Sequence, residues 1–265
     1  MKVRWLVITF VFFLAACGGS SNHLTPPQPD TPSPPVTITE NAVGVYRGTY
    51  AEIPHQFYAV VLPDDRYYAF EGVVDQDGSM SELWMLRTGQ GKSNNGDYTA
   101  PITQYFDGDI FKLSLTAKYV PATSLNGSIT FLSTGATHTF SGQALSASVL
   151  DLNSPASLSS IAGSWEAVGL FDLATGSLPY TVTITPEGEF RVAGTELQCT
   201  MATITPDTKN GFFNVKFATG AGACFSKATA NSSGIAIELL MPNGMRQLFL
   251  AAVDDSQAVA YAAKR

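Results

Sequence analysis

Two fifteen-residue stretches far apart in the chain read alike: Tyr58–Gly72, "YAVVLPDDRYYAFEG", and Tyr180–Gly194, "YTVTITPEGEFRVAG". Each begins with Tyr, ends with Gly and carries an acidic turn in its middle. Upstream, "GVYRG" from Gly44 pairs with "GSWEA" from Gly163, which aligns Tyr46 with Trp165. Downstream, "SLNGSITFL" around Gly127 pairs loosely with "NSSGIAIEL" around Gly234. Self-similarity of this kind means the chain is built twice over one plan. It divides the sequence into related halves at 37–153 and 154–265, each of ordinary domain size, with the polar stretch "DLNSPASLSS" between them.

Within the repeat, apolar and polar residues alternate, the period that sends successive side chains to opposite faces of a strand. Similar runs, rich in Val, Ile, Thr, Phe and Tyr, recur between Gly, Pro, Asn and Asp turns. They fall at 44–50, 56–62, 66–72, 82–88, 110–119, 126–132 and 137–145, and again at 163–170, 179–185, 189–194, 197–205, 211–218, 234–240 and 246–253. Beyond the first residues, no long stretch keeps a helical period. The expectation is an all-β protein of two related antiparallel barrels or sandwiches, with up-and-down barrels favoured because closure removes exposed sheet edges.

The repeat also yields an expectation about faces. In the second half Val182, Ile184, Phe190 and Val192 alternate with Thr181, Thr183, Glu189 and Arg191, so the first set points inward. Carried across the alignment, Val60, Leu62, Tyr68 and Phe70 become core, and Ala59, Val61, Tyr67 and Ala69 point outward. An apolar outer patch marks a contact. These four residues are the candidate contact patch, either packing one half on the other or meeting a partner, with Tyr67 the first residue to mutate.

The N-terminus carries a different message. Lys2 and Arg4 precede a mostly apolar run from Trp5 to Leu14, then Ala15, Ala16, Cys17 and Gly18. A charged start, a short apolar segment and small residues describe an export signal, and the run is about half of the roughly 20 residues that a spanning helix needs. Leu14-Ala15-Ala16-Cys17 resembles the bacterial lipoprotein signal. That resemblance implies a signal peptide over 1–16, acylation of the Cys17 thiol and a lipid anchor in the membrane. Two or three acyl chains, at about 0.8 kcal/mol per buried CH₂, hold a protein there. Gly18 and Ser20 resemble lipoproteins sent to the outer membrane, since Asp does not follow the cysteine. Residues 18–36 hold six prolines between Pro26 and Pro35 and almost nothing apolar, so 17–36 reads as a lipid-anchored, extended tether. His23 lies within it.

The chain is acidic, at net −7, and has no cluster of Lys and Arg interleaved with aromatics, which argues against nucleic acid. Cys199 and Cys224 are the two remaining cysteines of an exported chain and are expected to form a disulfide. A loop of 26 residues closed in this way stabilises by roughly 3 kcal/mol in the chain-entropy model. With the cysteines oxidised, His55 and His138 do not make a zinc site, and each is expected as a solvated residue near a strand end. "GQGKS" at 89–93 lacks the leading glycine of a phosphate loop, for which this chain has Arg87. "DQDGS" at 75–79 lacks the other ligands of a calcium loop and reads as a hairpin turn. No cofactor or metal is implied, and no G-x-S-x-G elbow occurs.

Taken together, the lipobox, the Pro-rich tether, "GVYRG" with "DDRYYAFEG", "SLNGSITF", "IAGSWEA", "LQCTMATITP" and "GAGACF" resemble a group of uncharacterised proteobacterial lipoproteins. A more distant, fold-level analogy is to the barrel domains of surface lipoproteins such as transferrin-binding protein B. Three functions follow as expectations. The first is a non-enzymatic envelope lipoprotein binding a protein or surface component. The second is a carrier of a small apolar ligand inside a barrel, and the third is an envelope hydrolase, for which polar chemistry is thinly supplied.

Overall fold

Strand follows strand along the chain, and the sheets close on themselves. The structure, a computed structural model, describes residues 40–170, 180–193, 198–217, 232–255 and 257–265, with the backbone alone for 198–201. The first half forms β1 (Gly44–Tyr50), β2 (Gln56–Val61), β3 (Arg66–Val74), β4 (Met80–Gln90), β5 (Lys92–Asn94), β6 (Asp97–Phe106), β7 (Asp109–Val120), β8 (Ser124–Phe131) and β9 (Thr137–Ala144). Consecutive strands pair antiparallel except β4 and β5, β1 pairs with β9, and β4 pairs with β6, so eight strands close a barrel and the short β5 lies beside β6. A single helical turn, α1 (Leu158–Ile161), leads into the second half. There β10 (Gly163–Gly169), β11 (Tyr180–Ile184), β12 (Glu189–Ala193), β13 (Gln198–Pro206), β14 (Phe213–Phe217), β15 (Ser233–Leu240), β16 (Arg246–Val253) and β17 (Ala258–Lys264) close a second eight-stranded barrel through β10 and β17. The protein is therefore all-β, two closed antiparallel barrels in series.

Local sequence explains the turns. Asp107-Gly108 joins β6 to β7 with φ of 49° and 81°, the two-residue hairpin geometry that Asp-Gly adopts readily. "DQDGS" closes β3 onto β4, with Gly78 N donating to Asp75 O and Ser79 N donating to Asp77 Oδ1.

Both barrels are filled, and both are plugged by one device. In the first, the Tyr46 hydroxyl donates to Ala42 O at 2.8 Å, four residues earlier. In the second, Trp165 Nε1 donates to Ile161 O at 2.8 Å, again four residues earlier. Ala42 and Ile161 are both fully buried. A large aromatic on the first strand thus turns back to satisfy its polar atom on the chain entering the barrel, as buried Tyr and Trp require. The Tyr46–Trp165 alignment holds at this level of detail.

The faces of the repeat do not follow the aligned tyrosines. Tyr46 lies opposite Ala59 in the ladder, while Trp165 lies opposite Val182. Ala59, Val61, Tyr67 and Ala69 are therefore the counterparts of Val182, Ile184, Phe190 and Val192, one residue away from the alignment that matches Tyr58 to Tyr180. A one-residue slip turns every side chain of a strand to the other face. All four are at most 2 % exposed and lie in the first barrel's interior with Tyr46, Tyr98 and Leu113. The candidate contact patch is thus a core, and Tyr67→Glu would test folding rather than contact.

Val60, Leu62, Tyr68 and Phe70 point out of the first barrel into a second buried cluster, with Ile235, Ile237, Phe249, Ala251, Ala260 and Ala262 of the second barrel. Strands β2, β3, β16 and β17 are consequently buried on both faces, and their sequences are apolar at nearly every position. Alanines on β16 and β17 let the sheets approach, and Phe249 fills the space between Tyr58 and Phe70, with ring centroids 5.0 and 4.8 Å away. Met80 N donates to Gln247 Oε1 at 3.0 Å across this contact, and Gln247 Nε2 donates to Ala263 O, so this buried amide is satisfied on both sides. Strands turned away from the contact, such as β7 and β14, alternate buried and exposed residues as a one-sided sheet does.

Candidate functional site: the mouth of the first barrel

At the end of the first barrel where β1, β6 and β8 terminate, inward-pointing positions carry rings. Registers place Met85 opposite both Glu71 and Phe106, Gln104 opposite both Arg87 and Phe111, Leu113 opposite Phe131, and Ile129 opposite His138. Phe111 and Phe131 meet edge to face at 6.1 Å, and Phe131 meets the His138 ring at 5.9 Å. Across the opening, the His55 ring packs against Trp84 at 4.6 Å. Phe111, Phe131, Trp84, His55 and His138 are half-buried, and Phe106 and Leu132 are 36 % and 64 % exposed. A rim of rings open to solvent is the kind of surface that meets a ligand, and barrel mouths are a common place for one.

Below the rim lies a charged floor. Glu71 and Arg87, both inward and 0 % and 1 % exposed, form an ion pair. Tyr50 donates its hydroxyl to Glu71 Oε1 at 2.6 Å and accepts from Arg87 Nη1, and Arg87 Nε donates to Gln104 Oε1 at 2.8 Å. Arg87 also lies over the Tyr50 ring, 5.3 Å from its centroid. Burial pushes the Glu71 carboxyl up, against the pull of the Arg87 charge and the Tyr50 bond. Burial also drives the Tyr50 hydroxyl well above its ordinary value, helped by the Glu71 charge. Every group here is committed to another, with the exception of Glu71 Oε2, which has no partner.

The β1–β2 loop crosses one side of the mouth. Glu52 accepts from Thr139 N at 2.9 Å and Thr139 Oγ1 at 2.7 Å, and Ala51 N donates to Thr139 O. These bonds, the Thr139 hydroxyl first, hold the Glu52 carboxyl below the usual carboxylate range. Glu52 Oε2 lies 4.0 Å from His138 Nδ1. Burial lowers the His55 pKa, and the charges of Arg87 and His138 lower it further.

His55 and His138, expected as solvated residues, are half-buried parts of this mouth. Neither Arg87 nor Glu71 stands out in the sequence. The available signal is parity: each sits in step with inward residues of its own strand. Cys17 and Cys224 lie outside the described residues, as does the side chain of Cys199, so the lipidation and disulfide expectations fall there. Among the described residues no group of three or more His, Cys, Asp and Glu is placed to hold a metal ion.

No family model matches the chain, and no curated protein does. Among solved structures, a candidate outer membrane protein of Bacteroides fragilis aligns with 85 % of this chain and 96 % of its own, at 11 % identity and a TM-score of 0.24. At that degree of likeness neither its fold nor its role transfers.

Proposed function

We propose that this chain is a lipid-anchored, non-enzymatic binding module of the cell envelope, held at the outer membrane by Cys17 and presenting the mouth of its first barrel to an envelope protein or surface component. The half-exposed ring of Phe106, Phe111, Phe131 and Trp84 carries this reading. Elsewhere the outward residues of β7 to β9 include exposed Lys112, Thr116, Lys118, Asn126, Ser141 and Gln143, a surface suited to water. The first barrel's interior is occupied by Tyr46, Phe57, Tyr67, Tyr98 and Leu113, which favours a guest at the mouth over a carrier with an internal cavity. The mutual bonding of Arg87, Glu71 and Tyr50 favours a structural floor over a reactive one.

The anchor and the mouth are tested separately. Cys17→Ser is expected to abolish incorporation of labelled palmitate and to move the protein from the membrane to the soluble fraction. Unchanged membrane retention refutes the anchor. A photo-crosslinking amino acid at Leu132, 64 % exposed on the rim, is expected to trap a defined envelope species in living cells. The same group at Val120, 51 % exposed at the far end of β7, is expected to trap none. Equal capture at both positions, or at neither, rules out the mouth as the contact.

A further inference from the structure

We propose that the β1–β2 loop is a pH-sensitive latch on this mouth, seated when His55 is neutral and released when His55 takes up a proton. Its bearing on capture rests on the mouth being the contact site, but the latch itself is a property of the chain alone.

Besides Ile53 against the interior cluster and Tyr50 N on His55 O, the loop that brings His55 to the mouth is tied down by two side chains, Glu52 on Thr139 and the His55 ring on Trp84. The first attachment is made of hydrogen bonds to a carboxylate. The second is packing of one ring against another, and His55 Nδ1 is buried there without a hydrogen-bond partner. A neutral imidazole tolerates such a seat at modest cost. An imidazolium carries an N–H at both nitrogens, and the one at Nδ1 would be buried with nothing to receive it.

The surroundings give no compensation. From β4 come Trp84, whose Nε1 donates to Glu82 Oε2 at 2.7 Å, and the Arg87 cation. From β9 comes His138, and from β1 and β3 come Tyr50 and Glu71, both engaged with Arg87, while Glu71 Oε2 and His55 Nδ1 are each without a hydrogen bond and so do not meet. The loop's own acid, Glu52, is spent on Thr139 and faces His138. The charges acting on His55 are positive, so the seated ring resists protonation while a ring swung into water does not.

The sign follows. The open loop binds the proton at the ordinary histidine value near 6.5, and the seated loop binds it only at lower pH. The seat is therefore fully favoured above the open-state value and weakens as pH falls below it. At the other attachment Glu52, held below the usual carboxylate range by its Thr139 bonds, keeps its charge as pH falls. Acid thus frees the His55 end while the Thr139 end stays tied, and the ring leaves Trp84 and the floor beneath it open to solvent.

The experiment uses the full chain with no partner. Tryptophan emission and hydrogen exchange of the Tyr50 amide, which donates to His55 O at 3.4 Å, corrected for intrinsic rates, are followed from about pH 8 to pH 5, where a histidine changes charge. The chain has three tryptophans, so the informative part is the one that depends on His55. The wild type is expected to show a red shift and loss of protection at the Tyr50 amide as pH falls, with the Ala51 amide on Thr139 O still protected and far-ultraviolet circular dichroism unchanged. His55→Phe, which keeps a ring on Trp84 and has no proton to gain, is expected to remain seated throughout. His55→Gln, which lacks the ring, is expected to show the exposed signal at every pH. A flat wild-type profile, the same transition in His55→Phe, or a parallel loss of β signal overturns the latch. The Leu132 crosslink, taken at both ends of this pH range, separates the two ideas: its absence at both with the transition intact defeats the contact site and leaves the latch. Its presence, equal at both pH values and without a transition, does the reverse.

Discussion

Arg87→Met is expected to destabilise the protein by about 3–5 kcal/mol, the usual consequence of leaving a buried ion with no counter-charge. Glu71 would remain fully buried with its Oε1 bonded only to Tyr50 and its Oε2 still unpartnered. The carboxyl, already pushed up by burial, would then lose the one charge that favours ionisation. Glu71→Leu is expected to cost a similar amount, because it strands Arg87 among Tyr50, Gln104 and the barrel wall. The double variant Arg87→Met/Glu71→Leu removes both charges and refills the space with apolar atoms. It is expected to recover most of the loss, leaving Tyr50 and Gln104 to bond each other or water. Urea denaturation of the four proteins, read as a double-mutant cycle, measures the coupling. A double variant as unstable as the sum of the singles shows that the pair is not acting as a unit, and the floor of the mouth is then not the closed network described here.

How much of this was legible in the residues differs from element to element. Alternation reveals a strand wherever one face is wet, as in β7, "DIFKLSLTAKYV", whose buried and exposed positions trade places along its length. It fails where other chemistry intervenes. Strand β6 lies outside the alternating runs and carries Pro101 in its middle, where proline does not belong in a paired strand. Pro101 falls between Thr99, where pairing with β5 ends, and Ile102, where pairing with β4 begins, so the donor it lacks is not needed on that side. Strand β17, "AVAYAAK", carries no strand signal, because alanine favours helix. Its small side chains are what let the second barrel lie close to the first.

The inverted faces have a related cause. "YAVVL" and "RYYAF" are apolar on both sides, so period two is present but does not say which side is the inside. The matched tyrosines suggested one answer, and the ladder positions of Tyr46 and Trp165 give the other. What those residues did announce correctly is that both faces are covered. The charged floor was hidden for the opposite reason, since Arg and Glu are rarely fully buried and nothing local distinguishes Arg87 or Glu71 from surface residues.

Phe249→Ala is expected to cost about 3–5 kcal/mol, in the range for deleting a buried ring from a core that cannot collapse. The expected effect goes beyond the number. Phe249 is fully buried on the outside of the second barrel, against Tyr58 and Phe70 on the outside of the first. Its neighbours Ala251, Ala260 and Ala262 are too small to move into the void, and the strands that carry them are fixed in closed ladders. Contact between the barrels also uses directional bonds, from Met80 N to Gln247 and from the Tyr105 hydroxyl to Asp254 O, whose geometry depends on the same packing. Loss of the ring therefore loosens the joint while leaving each interior, one built around Tyr46 and the other around Trp165, intact. In the wild type, probes of the two barrels should unfold at one denaturant concentration, because the shared cluster makes each barrel's folding favour the other's. In Phe249→Ala the two transitions should separate, the failure of two-state behaviour that coincident probes are designed to detect. Phe249→Leu, which keeps most of the volume, should lower stability by less than about 1.5 kcal/mol and preserve coincidence. Separate transitions in the wild type, or an unaltered single transition in Phe249→Ala, would mean that the apolar outer faces of β2 and β3 are covered by something other than this contact.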